Sequence, residues 1–438
     1  MINHSRLTLA AAVVAAGMAC TSGQALAQSA DALLNKLVEK GVLTSEEAKD
    51  LRTETDQNFA KAYSAKSGMP EWVSALKLNG DFRARYEGFY ADNPAFVERN
   101  RFRYRARFGV TAVMSDHFEV GLRLGSGSDE PISQNQTLQD NASKKGIFID
   151  LAYGKWTPVK GGDWTVSTTV GKMSNPYEFS DLVFDHDYTP EGLAIQVSRN
   201  LGEKHVAKLN SGAFVLDELG ATTQDPFLYG VQGRLDSKWS SKFSTSAGAA
   251  YLAIVNENVL VNTAVPNINT GNTRTAAGAP LHDFTPVVVD ASATYKLESF
   301  PMYPGAFPIK VGGDYIYNCG ASGATDNEGW SAGITFGKAG KKGAWEVGYA
   351  YKWLGADAWW EELVDSDSGA FYAASLPNSG LGAGYFAGTD VKGHVFKVAY
   401  SPYNTITLSA KALLLERIND GGTDSDMTRL QVDAQWKF

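Results

Sequence analysis

Cysteine is nearly missing from these 438 residues: only Cys20 and Cys319 occur. Cys20 lies in an N-terminal leader, so the mature chain keeps one thiol and cannot close an internal disulfide. Beyond residue 27 there is no apolar run long enough to cross a membrane as a helix. The formal net charge is only −8, which argues against a nucleic-acid-binding role. Histidine is scarce as well. His117, His186, His205, His282 and His394 follow the leader, mostly in segments that read as turns or loops, with no nucleophile pattern beside them. No catalytic, cofactor-binding or metal-binding residue is therefore assigned, and the chain is not expected to be an enzyme. "DHD" at 185–187 reads as a solvated loop rather than a metal site. "GAGYFAG" at 382–388 reads as a loop tip, because no helix follows it to cap a phosphate.

Glycine and aromatic residues, by contrast, are plentiful. The first residues form an export signal: Arg6 is basic, "LTLAAAVVAAGMA" is apolar, and Ala25-Leu26-Ala27 before Gln28 has the small-x-small cleavage pattern. Gly17-Met18-Ala19 in front of Cys20 does not match the lead of a lipid-attachment site. Residues 1–27 are thus read as a signal peptide. In residues 31–52, "DALLNKLVEKGVLTSEEAKDLR", Leu33, Leu34, Leu37 and Val38 fall at helical spacing and Gly41 ends that helix. Thr44 and Glu47 form a capping box for a second one. Residues 28–72 are read as a periplasmic helical hairpin and linker.

From Leu76 the period changes to two. Candidate strands cover 75–90, 98–114, 116–127, 147–157, 163–172, 190–200, 206–217, 225–238, 241–254, 286–297, 308–318, 328–337, 343–354, 390–401, 404–416 and 426–438. Alternation of this kind hides a membrane barrel from hydropathy, because lipid-facing and lumen-facing residues average out. Loop lengths segregate too. Connections are short at 115–117, 202–205, 240–242, 338–343 and the Pro402-Tyr403 corner, and long at 128–146, 173–189, 255–285 and 355–389. Short turns on one rim and long loops on the other are the asymmetry of an outer-membrane barrel. Trp156, Trp164, Trp239, Tyr295, Trp345, Tyr400, Tyr403, Trp436 and Phe438 gather near the short turns, as an interfacial girdle does. The fold class expected is all-β: a 16-stranded antiparallel transmembrane β-barrel over residues 73–438, preceded by the short periplasmic helical segment.

The last strand, "LQVDAQWKF", ends on an aromatic residue at the turn-side rim. In this the sequence resembles the porins of the Gram-negative outer membrane, in particular the putative-porin family with a helical hairpin between signal and barrel. The resemblance implies a passive channel for small hydrophilic solutes or ions in the cell outer membrane, in contact with outer-membrane lipid. It further implies a homotrimer, and a C-terminal signal at Phe438 read by the barrel-insertion machinery. A barrel-embedded enzyme, or an anchor using the hairpin, stands as the alternative.

Two groups of residues carry the site expectation. If Phe102, Tyr104, Ala106 and Phe108 face lipid, strict alternation turns Arg101, Arg103, Arg105 and Arg107 to the lumen, with Arg83, Arg85 and Arg123 on the neighbouring strands. Turning such residues to lipid would cost about 2–4 kcal/mol each near the midplane. This basic ladder lines a pore, or hydrogen-bonds to lumenal carboxylates such as Asp81, Glu87 and Glu119, or does both; removing three of its arginines is expected to leave folding intact. In "MSNPYEFSDLVFDHDY" at 173–188, Glu178, Asp181, Asp185 and Asp187 are candidates for a constriction loop facing the ladder, as the third loop does in the porins it resembles. A solvated surface loop is the other reading.

Overall fold

The computed structural model describes residues 70–221, 223–262, 265, 269–374 and 382–438. Ala75–Phe438 forms one compact unit. The export signal expected over 1–27 and the helical hairpin expected over 31–52 lie outside the described residues.

The strands are β1 (Val73–Tyr90), β2 (Arg99–Met114), β3 (Phe118–Gly125), β4 (Gln136–Thr137), β5 (Phe148–Gly161), β6 (Trp164–Lys172), β7 (Glu191–Leu201), β8 (His205–Val215), β9 (Phe227–Lys238) and β10 (Phe243–Val255). They continue as β11 (Pro286–Leu297), β12 (Phe307–Asn318), β13 (Glu328–Gly337), β14 (Trp345–Leu354), β15 (Gly369–Tyr372), β16 (Gly384–Ala387), β17 (Val391–Tyr403), β18 (Ile406–Arg417) and β19 (Met427–Lys437). Three of these are short pieces within loops: β4 pairs with β2, and β15 with β16. The other sixteen pair antiparallel, each with the next in the chain, and β1 closes the ring against β19 from Asp81↔Lys437 to Tyr90↔Thr428. Closure leaves no sheet edge unpaired, which a strand structure in lipid requires.

Alternation explains why these segments pair in this register. On β1, Phe82 is 41% exposed and Arg85 6%; on β2, Phe102 is 60% exposed and Arg105 6%. Apolar side chains stand outside the ring and charged ones inside, the reverse of a soluble barrel. A one-residue slip would exchange the two sets on every strand.

Loops on one rim are long, at 91–98, 126–147, 173–190, 216–226, 256–285 and 355–390, while the other rim has turns such as 115–117, 162–163, 202–204 and 404–405. Pro402 and Tyr403 belong to β17 rather than to a turn. A register shift between Tyr400 and Tyr403 gives the proline a place off the hydrogen-bond ladder. Of the expected girdle, Trp156, Trp164, Trp239, Tyr295, Tyr400, Tyr403, Trp436 and Phe438 stand exposed on the outside. Trp345 is half-buried against Phe300 and Tyr303 of the connection before β12 and Phe307 at the start of β12.

The apolar core is built largely by loops inside the ring. Leu182, Val183 and Phe184 of 173–190, Leu260 and Phe284 of 256–285, and Trp359, Trp360, Leu363 and Val364 of 355–390 form one buried cluster with inward strand residues such as Phe214, Leu252 and Ile316. Phe184 and Phe284 both meet Trp359 edge-on, with centroids 6.0 and 6.4 Å away. Asn272 ties two of these loops, donating from Nδ2 to the carbonyls of Ala356 and Trp359 at 2.6 and 2.8 Å. The feet of loop 173–190 are Gly171 and Gly192, paired across β6 and β7, at φ 111° and 152°. A Cβ at either would stand 2.3 or 2.2 Å from a carbonyl of the adjacent strand, so glycine lets the loop leave the wall there.

Candidate functional site

Alternation on β1, β2 and β3 brings all seven ladder arginines to one inner wall, where carboxylates meet most of them. Arg85 donates from Nε and Nη2 to the two oxygens of Asp433 at 2.7 and 2.8 Å. Arg101 bonds Glu87, which also takes Arg429 at 2.7 Å. Arg105 reaches Asp81 at 3.0 Å and Asp187 at 2.9 Å, and Arg107 reaches the same two at 2.6 and 3.4 Å. Arg123 bonds Asp150. Arg83 and Arg103 differ: each donates from Nη2 to Asn135, to its side-chain oxygen at 2.6 Å and its backbone oxygen at 2.8 Å. Because these carboxylates are buried, removing three arginines would strip partners from Asp81 and Glu87. Against the expectation that folding stays intact, this geometry argues for a stability cost.

The four loop carboxylates diverge. Asp187 reaches the ladder through Arg105 and Arg107. Glu178 binds Lys208 of β8 at 2.6 Å, and Asp181 binds Lys352 of β14 at 3.2 Å. Asp185 is buried and accepts from the backbone N–H of Asp187 and of Ser366 at 2.7 and 2.8 Å. Loop 173–190 therefore spans the lumen between three walls, and Asp185 and Asp187 turn to different partners, so the Asp-His-Asp run does not converge on a metal-sized point. Burial, with Asp365 and Asp187 nearby, pushes the Asp185 carboxyl up to about 8. Asp365 goes the other way: burial alone would raise it, but Lys411 and Lys352 hold it well below the usual range.

Sequence reasoning missed half of this network. Asp150, Lys352, Lys411, Arg429 and Asp433 sit at inward positions of their strands, so the alternation that found the ladder could have found them. Asp365 and Asp367 could not be found that way, since loop 355–390 has no period. The signal there was the Trp359-Trp360 pair with Leu363 and Val364, too apolar for a surface loop. Asp367 joins Arg429 at 2.9 Å and Arg85 at 3.5 Å.

A cavity of about 880 Å3 lies inside the ring between this wall and the infolded loops. It reaches from Lys437 and Phe438 at the turn-side rim up to Asp181, Asp187, Asp365 and Asp367 of the infolded loops, and Lys397 and Lys411 line it from β17 and β18, which continue the wall beyond β19. Basic and acidic side chains line it in equal number. Carboxylates and guanidinium groups facing across a wet gap make a transverse field that orients polar solutes and disfavours apolar ones.

A family model described as "Putative porin" matches residues 92–281. Among solved structures, OprB of Pseudomonas putida is 10% identical, with 87% of this chain and 97% of that one covered at a TM-score of 0.50. The outer membrane channel DcaP of Acinetobacter baumannii is 13% identical, covering 83% and 97% at 0.44. A triple mutant of Rhodopseudomonas blastica porin is 11% identical, covering 83% and 100% at 0.41. No curated protein matches the sequence. At these identities the likeness to OprB speaks for the fold alone: the chain is a closed sixteen-stranded antiparallel barrel of porin type, and residues 92–281 of it match the putative-porin family.

Proposed function

We propose that this protein is an outer-membrane porin, a passive, water-filled channel for small hydrophilic solutes or ions. The observation that carries the reading is the inversion of the barrel. Phe82, Phe102, Phe108, Val398 and Val432 are exposed on its outside, while Arg85, Glu87, Arg105 and Gln431 are buried within. The outside suits hydrocarbon and the inside suits water and ions. The family match over 92–281 and the porin-type fold support the same reading. In this proposal residues 1–27 direct export and are removed, and 28–72 are a periplasmic helical hairpin and linker. The last strand with Phe438 is the segment read by the insertion machinery in the Gram-negative outer membrane, and three copies assemble. The ladder arginines line the conducting path, and Glu178, Asp181, Asp185 and Asp187 belong to the loop that narrows it. Purified protein that shifts its gel mobility on heating, as folded barrels do, is expected to give ohmic current steps in planar bilayers. Folded protein that gives no steps would overturn the channel reading.

A further inference from the structure

The Nε and Nη2 edge of an arginine presents two parallel donors that match the two oxygens of a carboxylate. Arg85 shows that edge filled by Asp433. Arg83, on the same face of β1, shows it half filled. Its Nη2 donates to the Asn135 side-chain carbonyl, its buried Nε has no hydrogen-bond partner, and among the described residues no carboxylate forms an ion pair with it. Arg103 on β2 repeats the pattern. Its Nη2 donates to the Asn135 backbone carbonyl and its buried Nε is also unpartnered. The nearest carboxylate, Glu87 at 3.7 Å, is held more closely by Arg101 and Arg429. One neutral residue thus caps two cations. Neighbouring carboxylates cannot serve Arg83 in its place, because Asp433 is engaged by Arg85 and Asp187 by Arg105 and Arg107. Asn135 belongs to loop 126–147, folded in from the long-loop rim, and lines the same cavity as Arg83.

We infer that Arg83, with Arg103 behind Asn135, forms an anion subsite of the lumen, which takes the carboxylate group of a permeating solute in place of Asn135. This rests on the channel reading above. An entering carboxylate moves the Asn135 amide aside, puts one oxygen on Nη2 of Arg83 and the other on the free Nε, and exchanges a neutral acceptor for a charged one. A neutral solute gains nothing over the amide it would displace. Because Asn135 competes for the site, occupancy is brief, as passage requires: a site must bind well enough to admit and weakly enough to release.

The test uses the full mature chain in planar bilayers, with succinate as the probe added on the long-loop side and chloride current as the readout. The wild type should show a saturable fall in current with succinate and none with sucrose. Arg83→Gln should raise the half-blocking concentration about tenfold, the loss of charge-assisted hydrogen bonds worth 1.4 kcal/mol. Asn135→Asp, which removes no buried charge and supplies an internal carboxylate, should do the same. Arg83→Lys should weaken the block while leaving the reversal potential in a salt gradient unchanged, separating the two-donor edge from the charge alone. A wild-type channel indifferent to succinate, or Arg83→Gln and Asn135→Asp channels blocked as readily as the wild type, would overturn the subsite and leave the channel reading standing. A folded wild-type protein that does not conduct would overturn both.

Discussion

Arg105 holds Asp81 and Asp187 at once and shares both with Arg107, so its charge is part of a network rather than free in the lumen. Replacing Arg101, Arg103 and Arg105 together by Ala leaves Asp81 and Glu87 with fewer cations in a buried setting. We expect a loss of about 3 kcal/mol or more, read as a lower temperature for the heat-induced mobility shift. Reversal potentials in a salt gradient should move toward cation preference. Unchanged potentials from folded channels would mean that this wall does not face the conducting path. At Asp185 the sign of the pH dependence follows from its raised carboxyl. A raised acid contributes stability that is complete below its unfolded value and lost as pH rises through the folded one. Above pH of about 8 an ionised Asp185 stands against Asp365 and Asp187. The tie between loops 173–190 and 355–390 should therefore loosen progressively as pH rises from about 4 to about 8 and change no further above it, seen as faster amide exchange at Val183 to Tyr188. Asp185→Asn, which removes the charge and keeps one of the two acceptor oxygens, should remove that dependence.

Among the elements, strands and loops divide the work. Each barrel strand pairs along most of its length with its two neighbours, and loop 126–147 supplies β4 to the part of β2 that β3 does not reach. The loops need one another. Trp359 is fully buried between Phe184 and Phe284 and holds three infolded segments together. Trp359→Ala should cost about 3–5 kcal/mol of loop packing while the barrel itself stays folded. The measurable result is a higher single-channel conductance, with new protease cleavage in 355–390. Unchanged conductance would show that this plug does not restrict the path. The strands were legible in sequence, all sixteen of them, because an inside-out period of two is written locally. The plug was not. Trp359 finds its partners in segments more than seventy residues away, and no local pattern encodes that meeting.

At the scale of the whole molecule, the ring exists because β1 meets β19, with Ala84 opposite Ala434 on the outer face and Arg85 opposite Asp433 on the inner one. Paired cysteines at Ala84→Cys and Ala434→Cys should form a disulfide across this seam, since directly opposed strand residues lie within bridging reach. Oxidised protein should then resist the heat-induced mobility shift until reduced. The pair Phe82→Cys and Ala434→Cys, one register step off, should not. Sequence alone determined the number of strands, which side of each faces outward, which rim carries the long loops and which wall carries the arginines. An arginine turned to hydrocarbon is costly enough to make a two-residue pattern decisive. Only the tertiary structure decided that Asp433 fills the edge of Arg85 while Asn135 half fills that of Arg83, and that Glu178, Asp181 and Asp187 go to three different walls while Asp185 turns to loop 355–390. Those partners come from distant strands and from loops without a period, and their meeting depends on ring closure and loop packing, which no local stretch of sequence carries.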